Sequence, residues 1–357
     1  MEKYDFNGFT YIKDYNISGF SIEHNKEKPE NIFKFYSLNK FGVDALIKGY
    51  FYASHPIELN DSLDSSRFLM YTSKKLEFDF YERLIDDALT KDELVELYDK
   101  DINNENLCAW YITTHYDITT NLFGIISTTA KENNVLMWPH YTQELGFQIK
   151  FNTQKLENSI KSKLKAEEEY LGLYPINYCE RLLPIDISPF DHMFVPLAYS
   201  TNVKLNKWSY EDEWRFLVGK QNMGVPYSKA GLNQNQDYFV NTENRYAFYN
   251  KELIEEITVA HNFFNARHFK IEWLDSKNIQ VKPINEKSNW EYQSQIDFLN
   301  YVVEKLSDRF YHSGTKYEID SDGETILVRT KEQMQIRKEV DGVFILSRTD
   351  NYKIFME

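Results

Sequence analysis

The sequence predicts a mixed α+β fold: a mixed or antiparallel sheet core with a helical insertion, followed by a small C-terminal helix-and-β-meander module. Three observations carry that expectation. Short runs rich in β-formers alternate with capped helical segments. No repeat of roughly 20–50 residues is present, which removes solenoids and propellers. After about Glu286 the pattern changes to one helix and then short strands joined by Asp-Gly turns.

In chain order, Ile32 to Leu38 reads as a strand, Asn39 as the N-cap of a helix over Lys40 to Lys48, Gly49 as its stop and Tyr50 to Ser54 as a returning strand. From Asp64 to about Ala109 the pattern is helical, with Thr90 and Glu93 forming a capping box ahead of Leu94 and Leu97. Strands resume at Leu122 to Thr129 and Gly146 to Phe151, and a charged helical stretch follows from Asn152 to Tyr170. Further strands are expected at Glu211 to Val218 and Ile254 to Ala260, then a helix at Trp290 to Leu306 and hairpins at Ser321 (SDGE) and Val340 (VDGV). The expected domains are 1–286, containing the insertion at about 64–109, and 287–357.

Hydrophobic residues make up 42% of the 357, with 26 Tyr and 25 Phe, so the chain buries enough apolar surface to fold. No apolar run is long enough to span a bilayer, and the start has neither a basic nor an apolar leader region. A soluble, cytoplasmic protein with no membrane association is expected. Net charge of −14 disfavours non-specific binding to nucleic acid. Cys108 and Cys179 lack metal or redox spacing and read as reduced core thiols, and the histidines form no metal set.

Three stretches could carry chemistry. Phe35 to Asp61 delivers Tyr36, Ser37, Asn60 and Asp61 to loop ends, where sites usually form; the plainer alternative is a core tyrosine and an Asx-turn. Ile126 to Phe151 holds His140 between Trp138 and Tyr141, as either a hydrogen-bonded structural histidine or a catalytic one. In Trp208 to Val218, strand alternation sends Trp214, Phe216 and Val218 to one face and Glu211, Glu213 and Arg215 to the other. That second face is either solvated, with Arg215 offsetting the acids, or a paired-acid site in which repulsion raises one pKa.

These stretches, in this order, resemble the bacterial family called domain of unknown function 2971. The resemblance rests on YSLN at Tyr36–Asn39, FYASxPxxLND at Phe51–Asp61, LMWxHY within Leu136–Phe147 and YExEWR at Tyr210–Arg215. A second likeness is to ADP-ribosyltransferases of the Arg-Ser-Glu class and to DarT-type toxins. The order there is a polar first strand, a Ser-Thr-Ser strand and a Glu-x-Glu strand; here it is Tyr36–Ser37, Ser127–Thr129 and Glu211–Glu213, with Tyr36 and Lys34 where those families place Arg or His.

The second likeness implies an ADP-ribosyltransferase or NAD glycohydrolase consuming NAD as substrate, in a bacterial effector of phage defence or a toxin. Glu213 would stabilise the oxocarbenium-like transition state. Glu211 would orient or deprotonate the acceptor, with His140 a further catalytic candidate. Ser127 would hold the ribose, and Tyr36, Trp138 or Tyr141 would stack on a ring; Ser37, Asn60 and Arg215 complete the binding set. Two other readings stand beside it. One is a metal-dependent nuclease or nucleotide sensor using the same pocket. The other is a non-catalytic protein that binds a protein partner through 287–357.

Overall fold

A computed structural model describes residues 1–16, 19–85, 89–165, 168–220, 223–224, 242–284, 289–340 and 342–355. The chain divides into two compact units. The first comprises 1–27, 52–127 and 164–247, and the second 28–51, 128–163 and 248–357. Both mix helices and strands, as the sequence leads one to expect. The boundary near Glu286 does not hold, because 287–357 groups with the rest of the second unit. The physical reason is strand pairing: Phe310–Ile319 runs parallel to Ile254–Val259, and Val343–Phe355 runs antiparallel to Asn278–Pro283.

The second unit is a large mixed sheet. Its strands are hydrogen-bonded in the order Phe269–Trp273, Asn278–Pro283, Val343–Phe355, Thr325–Val340, Phe310–Ile319, Ile254–Val259, Phe147–Asn152 and Asn31–Tyr36. All neighbours are antiparallel except the parallel pair just named. Phe147, Ile149, Phe151, Ile257 and Val259 are fully buried on it, as are Phe298, Leu299 and Val302 of the helix Asn289–Lys305.

Local signals explain the element ends. The Asn39 side chain accepts from the Gly42 amide to start Lys40–Lys48, and Gly49 ends it at φ 75°, a conformation costly for residues with a Cβ. Gly146 allows a close approach of chains, since a Cβ there would lie 2.0 Å from the Tyr36 carbonyl oxygen. The SDGE turn joins its strands through Gly323 at φ 82°. Asp341 of VDGV lies outside the described residues.

In the first unit, an antiparallel sheet of Glu2–Phe6, Phe9–Lys13 and Ser21–Glu23 accompanies helices at Phe78–Ile85, Lys91–Asp101, Ala109–Thr120 and Phe194–Ser200. The Thr90–Glu93 capping box is present. The helical region runs beyond Ala109 to Thr120, where the Ala109–Thr120 helix buries Tyr111, Ile112 and Tyr116 in the core. Glu213–Lys220 pairs antiparallel with Glu168–Pro175, with a bulge at Leu217/Val218. Among the described residues no helix is long and apolar enough to cross a membrane.

Candidate functional site

The strand expected from Glu211 begins at Glu213. Residues 206–211 form a 3-10 turn that ends at Asp212, which adopts the left-handed conformation at φ 42°. Alternation holds from Glu213 onward, and Trp214, Phe216 and Val218 are buried. The opposite face is not solvated: Glu213, Arg215 and Leu217 are 5%, 1% and 2% exposed. Two charged side chains on an enclosed strand face require partners.

Those partners come from three other segments of the first unit. In the turn after Asn60, the Asp61 carboxylate accepts from the Leu63 amide, and Ser65 takes φ 53°, presenting Asp64 and Ser65 inward. Lys204 comes from the short strand Val203–Leu205, which pairs parallel with Asn177–Cys179. Ser127 comes from the strand Phe123–Thr129.

The resulting knot is closed around one guanidinium. Arg215 Nε donates to Glu213 Oε1 at 2.7 Å and Nη2 to Oε2 at 3.1 Å. On its other edge Nη1 and Nη2 reach the two Asp64 oxygens at 2.8 and 2.5 Å. Nη1 also donates to the Thr201 carbonyl and Ser65 Oγ. Lys204 Nζ donates to Glu211 at 2.6 Å and Glu213 at 3.1 Å, and lies 3.5 Å from Asp64. Three buried carboxylates thus face two buried cations.

Burial alone would push the Glu213 carboxyl upward. Arg215 and Lys204, with hydrogen bonds from Arg215 and the Ser127 hydroxyl, hold it well below the usual carboxylate range. The raised carboxyl expected for a repelling acid pair is therefore replaced by the opposite shift at Glu213, because the cations outweigh the neighbouring acid. Both Glu213 oxygens accept charge-assisted hydrogen bonds inside the protein, which makes the knot a clamp joining strand, turn and loop.

Ser127, Glu211, Glu213 and Arg215 are thus brought together. Asn60 is exposed in the first unit, beside the turn that supplies Asp64. Tyr36, Ser37, His140, Trp138 and Tyr141 belong to the second unit. There Tyr36 stacks on Phe147 with ring centres 5.4 Å apart, and burial raises its hydroxyl pKa. Ser37 Oγ donates to the Tyr141 carbonyl at 3.0 Å. Trp138 is a core ring: it is fully buried, its indole N–H donates to Asn133, and Phe35 meets it edge-on. His140 is exposed on the short helix Met137–Thr142. Cys108 and Cys179 are free and buried, and among the described residues no three His, Cys, Asp or Glu side chains are grouped to hold a metal ion.

A pocket of about 430 Å³ lies wholly within the first unit, and none of the sequence candidates lines it. Its walls are mainly apolar, with Phe20, Leu171, Phe194 and Leu197, and two histidines, His115 and His192, face into it. The volume falls within the range of roughly 300–1,000 Å³ typical of small-molecule sites. His115 sits on the helix Ala109–Thr120, where burial lowers its pKa to about 4, and its Nδ1 lies 3.0 Å from Thr119 Oγ1. The Tyr15 and Phe194 rings flank His192 at 5.6 and 6.4 Å.

Sequence reasoning missed these histidines because each stands alone in its segment. It also missed Asp64 and Lys204: Asp64 meets Arg215 across 151 positions, a separation at which no periodicity speaks.

Residues 137–216 match the family model described as "Protein of unknown function (DUF2971)". The matched segment contains Lys204, Glu211, Glu213 and Arg215, while Asp64, His115 and Ser127 lie before it. No curated protein and no solved structure matches the chain.

Proposed function

We propose that the chain acts by binding a small organic molecule in the pocket of the first unit, while the Glu213–Arg215 knot keeps the scaffold rigid. The observation that carries this reading is the mainly apolar pocket with a few polar groups converging on it, one of them the pKa-shifted His115. It differs from the nucleotide-sensor alternative drawn from the sequence both in its site and in its class of ligand.

The test fills the pocket from its wall. A Cβ on Gly219 would meet Glu169 Cβ and Leu171 Cδ1 at 3.6 Å, ordinary contact distances, and both neighbours line the pocket. Gly219→Leu should keep or raise the melting temperature while abolishing stabilisation by a panel of one- and two-ring fragments. Fragment stabilisation that is equal in wild type and variant would end the proposal.

One observation favours a second reading, NAD consumption. The Ser127 hydroxyl hydrogen-bonds to Glu213, joining the two strands that resemble the Ser-Thr-Ser and Glu-x-Glu motifs, and the carboxylate stays ionised as a cation-stabilising group must. Nicotinamide release by the wild-type chain that is lost in Glu213→Gln, assayed well below the variant's melting temperature, would favour this reading. Absence of NAD turnover and of NAD binding would remove it.

A further inference from the structure

We infer that the pocket selects a neutral, planar molecule offering a ring N–H or O–H, and that His115 Nε2 is the acceptor that reads it; this deepens the binding role proposed above. The Thr119 hydroxyl has a single proton, and of its two neighbours we assign that proton to the nearer one, the His115 carbonyl at 2.7 Å, one helical turn back, rather than to Nδ1. Toward His115 Nδ1, 3.0 Å away, the Thr119 oxygen can then only accept. Nδ1 therefore carries the ring proton. Assigned from this hydrogen-bond network, a neutral imidazole leaves Nε2 as an unprotonated acceptor. Burial keeps His115 neutral, lowering its pKa to about 4.

The rest of the lining sets the ligand's remaining chemistry. Phe20, Leu171, Phe194 and Leu197 supply apolar and ring surface, which suits a flat one- or two-ring body. The nearby cations are engaged: Lys220 pairs with Glu168 at 2.6 Å, and Lys13 donates to the Gly19 carbonyl at 2.6 Å and lies 4.3 Å from the Phe194 ring centre. Glu169, which also lines the pocket, adds a second acceptor. A phosphate or carboxylate would have to draw Lys220 from Glu168 or rely on His192 while facing two acceptors, His115 Nε2 and Glu169. A ring donor meets what it needs.

The experiment is isothermal titration of the full chain with indole and with 1-methylindole, which keeps the shape and removes the donor. Indole should bind about tenfold tighter, the loss expected for one buried hydrogen bond. His115→Leu should erase that difference while still binding 1-methylindole, and Thr119→Val, which cannot fix the tautomer, should narrow it. In wild type, ¹⁵N shifts of His115 should report a protonated Nδ1 and an unprotonated Nε2. Equal or reversed affinities for the two probes in wild type, or the opposite tautomer, would overturn the inference while leaving a binding pocket. Failure of both probes to bind at millimolar concentration would overturn the binding role as well.

Discussion

Replacing Arg215 with methionine would leave Asp64 and Glu213 enclosed with Lys204, at 3.5 and 3.1 Å, as the cation beside them. Removing one partner of a buried ion pair typically costs about 3–5 kcal/mol, whereas an exposed pair is worth under about 1 kcal/mol. Arg215 also satisfies the Thr201 carbonyl and Ser65 Oγ, so the upper part of the range applies. For a folding unit of this size 1 kcal/mol moves the midpoint by about 2–4 °C, so about 4–5 kcal/mol gives a fall of about 8–20 °C.

The sign of the pH dependence adds a second check. Arg215 heads the groups that hold the Glu213 carboxyl below its unfolded value, and the stability this supplies is present above the unfolded pKa and lost as pH falls below it, so the penalty of removing Arg215 is greatest at neutral pH and shrinks in acid. Adding Asp64→Asn and Glu213→Gln should recover much of the loss at neutral pH, because no uncompensated charge then remains on that edge. Scanning calorimetry from about pH 2 to pH 7 reads all of this. A variant melting within about 1 °C of wild type, or a penalty flat across that range, would show that the knot does not carry the strand.

Three further outcomes follow from buried groups. Phe216→Ala, at a fully buried position, should cost about 3–5 kcal/mol in urea unfolding, and a wild-type midpoint would mean the strand register is misassigned. Gly146→Ala would force a Cβ against the Tyr36 carbonyl oxygen and should lower the midpoint of the second unit by more than a typical surface change of about 0.5 kcal/mol; no change would disprove the close approach. His55 is buried, with its pKa lowered from 6.5 to about 4 first by burial and then by Arg245. Its neutral form is favoured in the fold, so its contribution is whole above about pH 6.5 and is lost as pH falls toward 4. At about 1.4 kcal/mol per pKa unit this amounts to about 3 kcal/mol. His55→Asn keeps a capping acceptor and should flatten that slope, and an unchanged slope would assign the acid sensitivity elsewhere.

The legible parts of the fold were those written in neighbouring residues. The Asn39 cap, the Gly49 stop, the Thr90–Glu93 box and the Gly323 turn each combine residues a few positions apart, and each occurs as read. Alternation likewise placed Trp214, Phe216 and Val218 inside. It could not say what covers the opposite face, because the cover comes from Asp64 and Lys204 in distant segments. The tail boundary failed for the same reason: a change of pattern at Glu286 marks new local structure, but not whether its strands pair with Ile254–Val259 or stand alone. The pocket was invisible because it is an absence of atoms between elements. Only the isolated His115 and His192 lay in the sequence to hint at it.

The most direct measurement of the central claim is a crystal structure of the full chain soaked with indole. The account predicts a flat ligand in the first-unit pocket between Leu171 and Leu197, its N–H directed at His115 Nε2, with the Glu213–Arg215 knot unchanged. An empty pocket beside indole bound against Glu213 with the knot opened would contradict it.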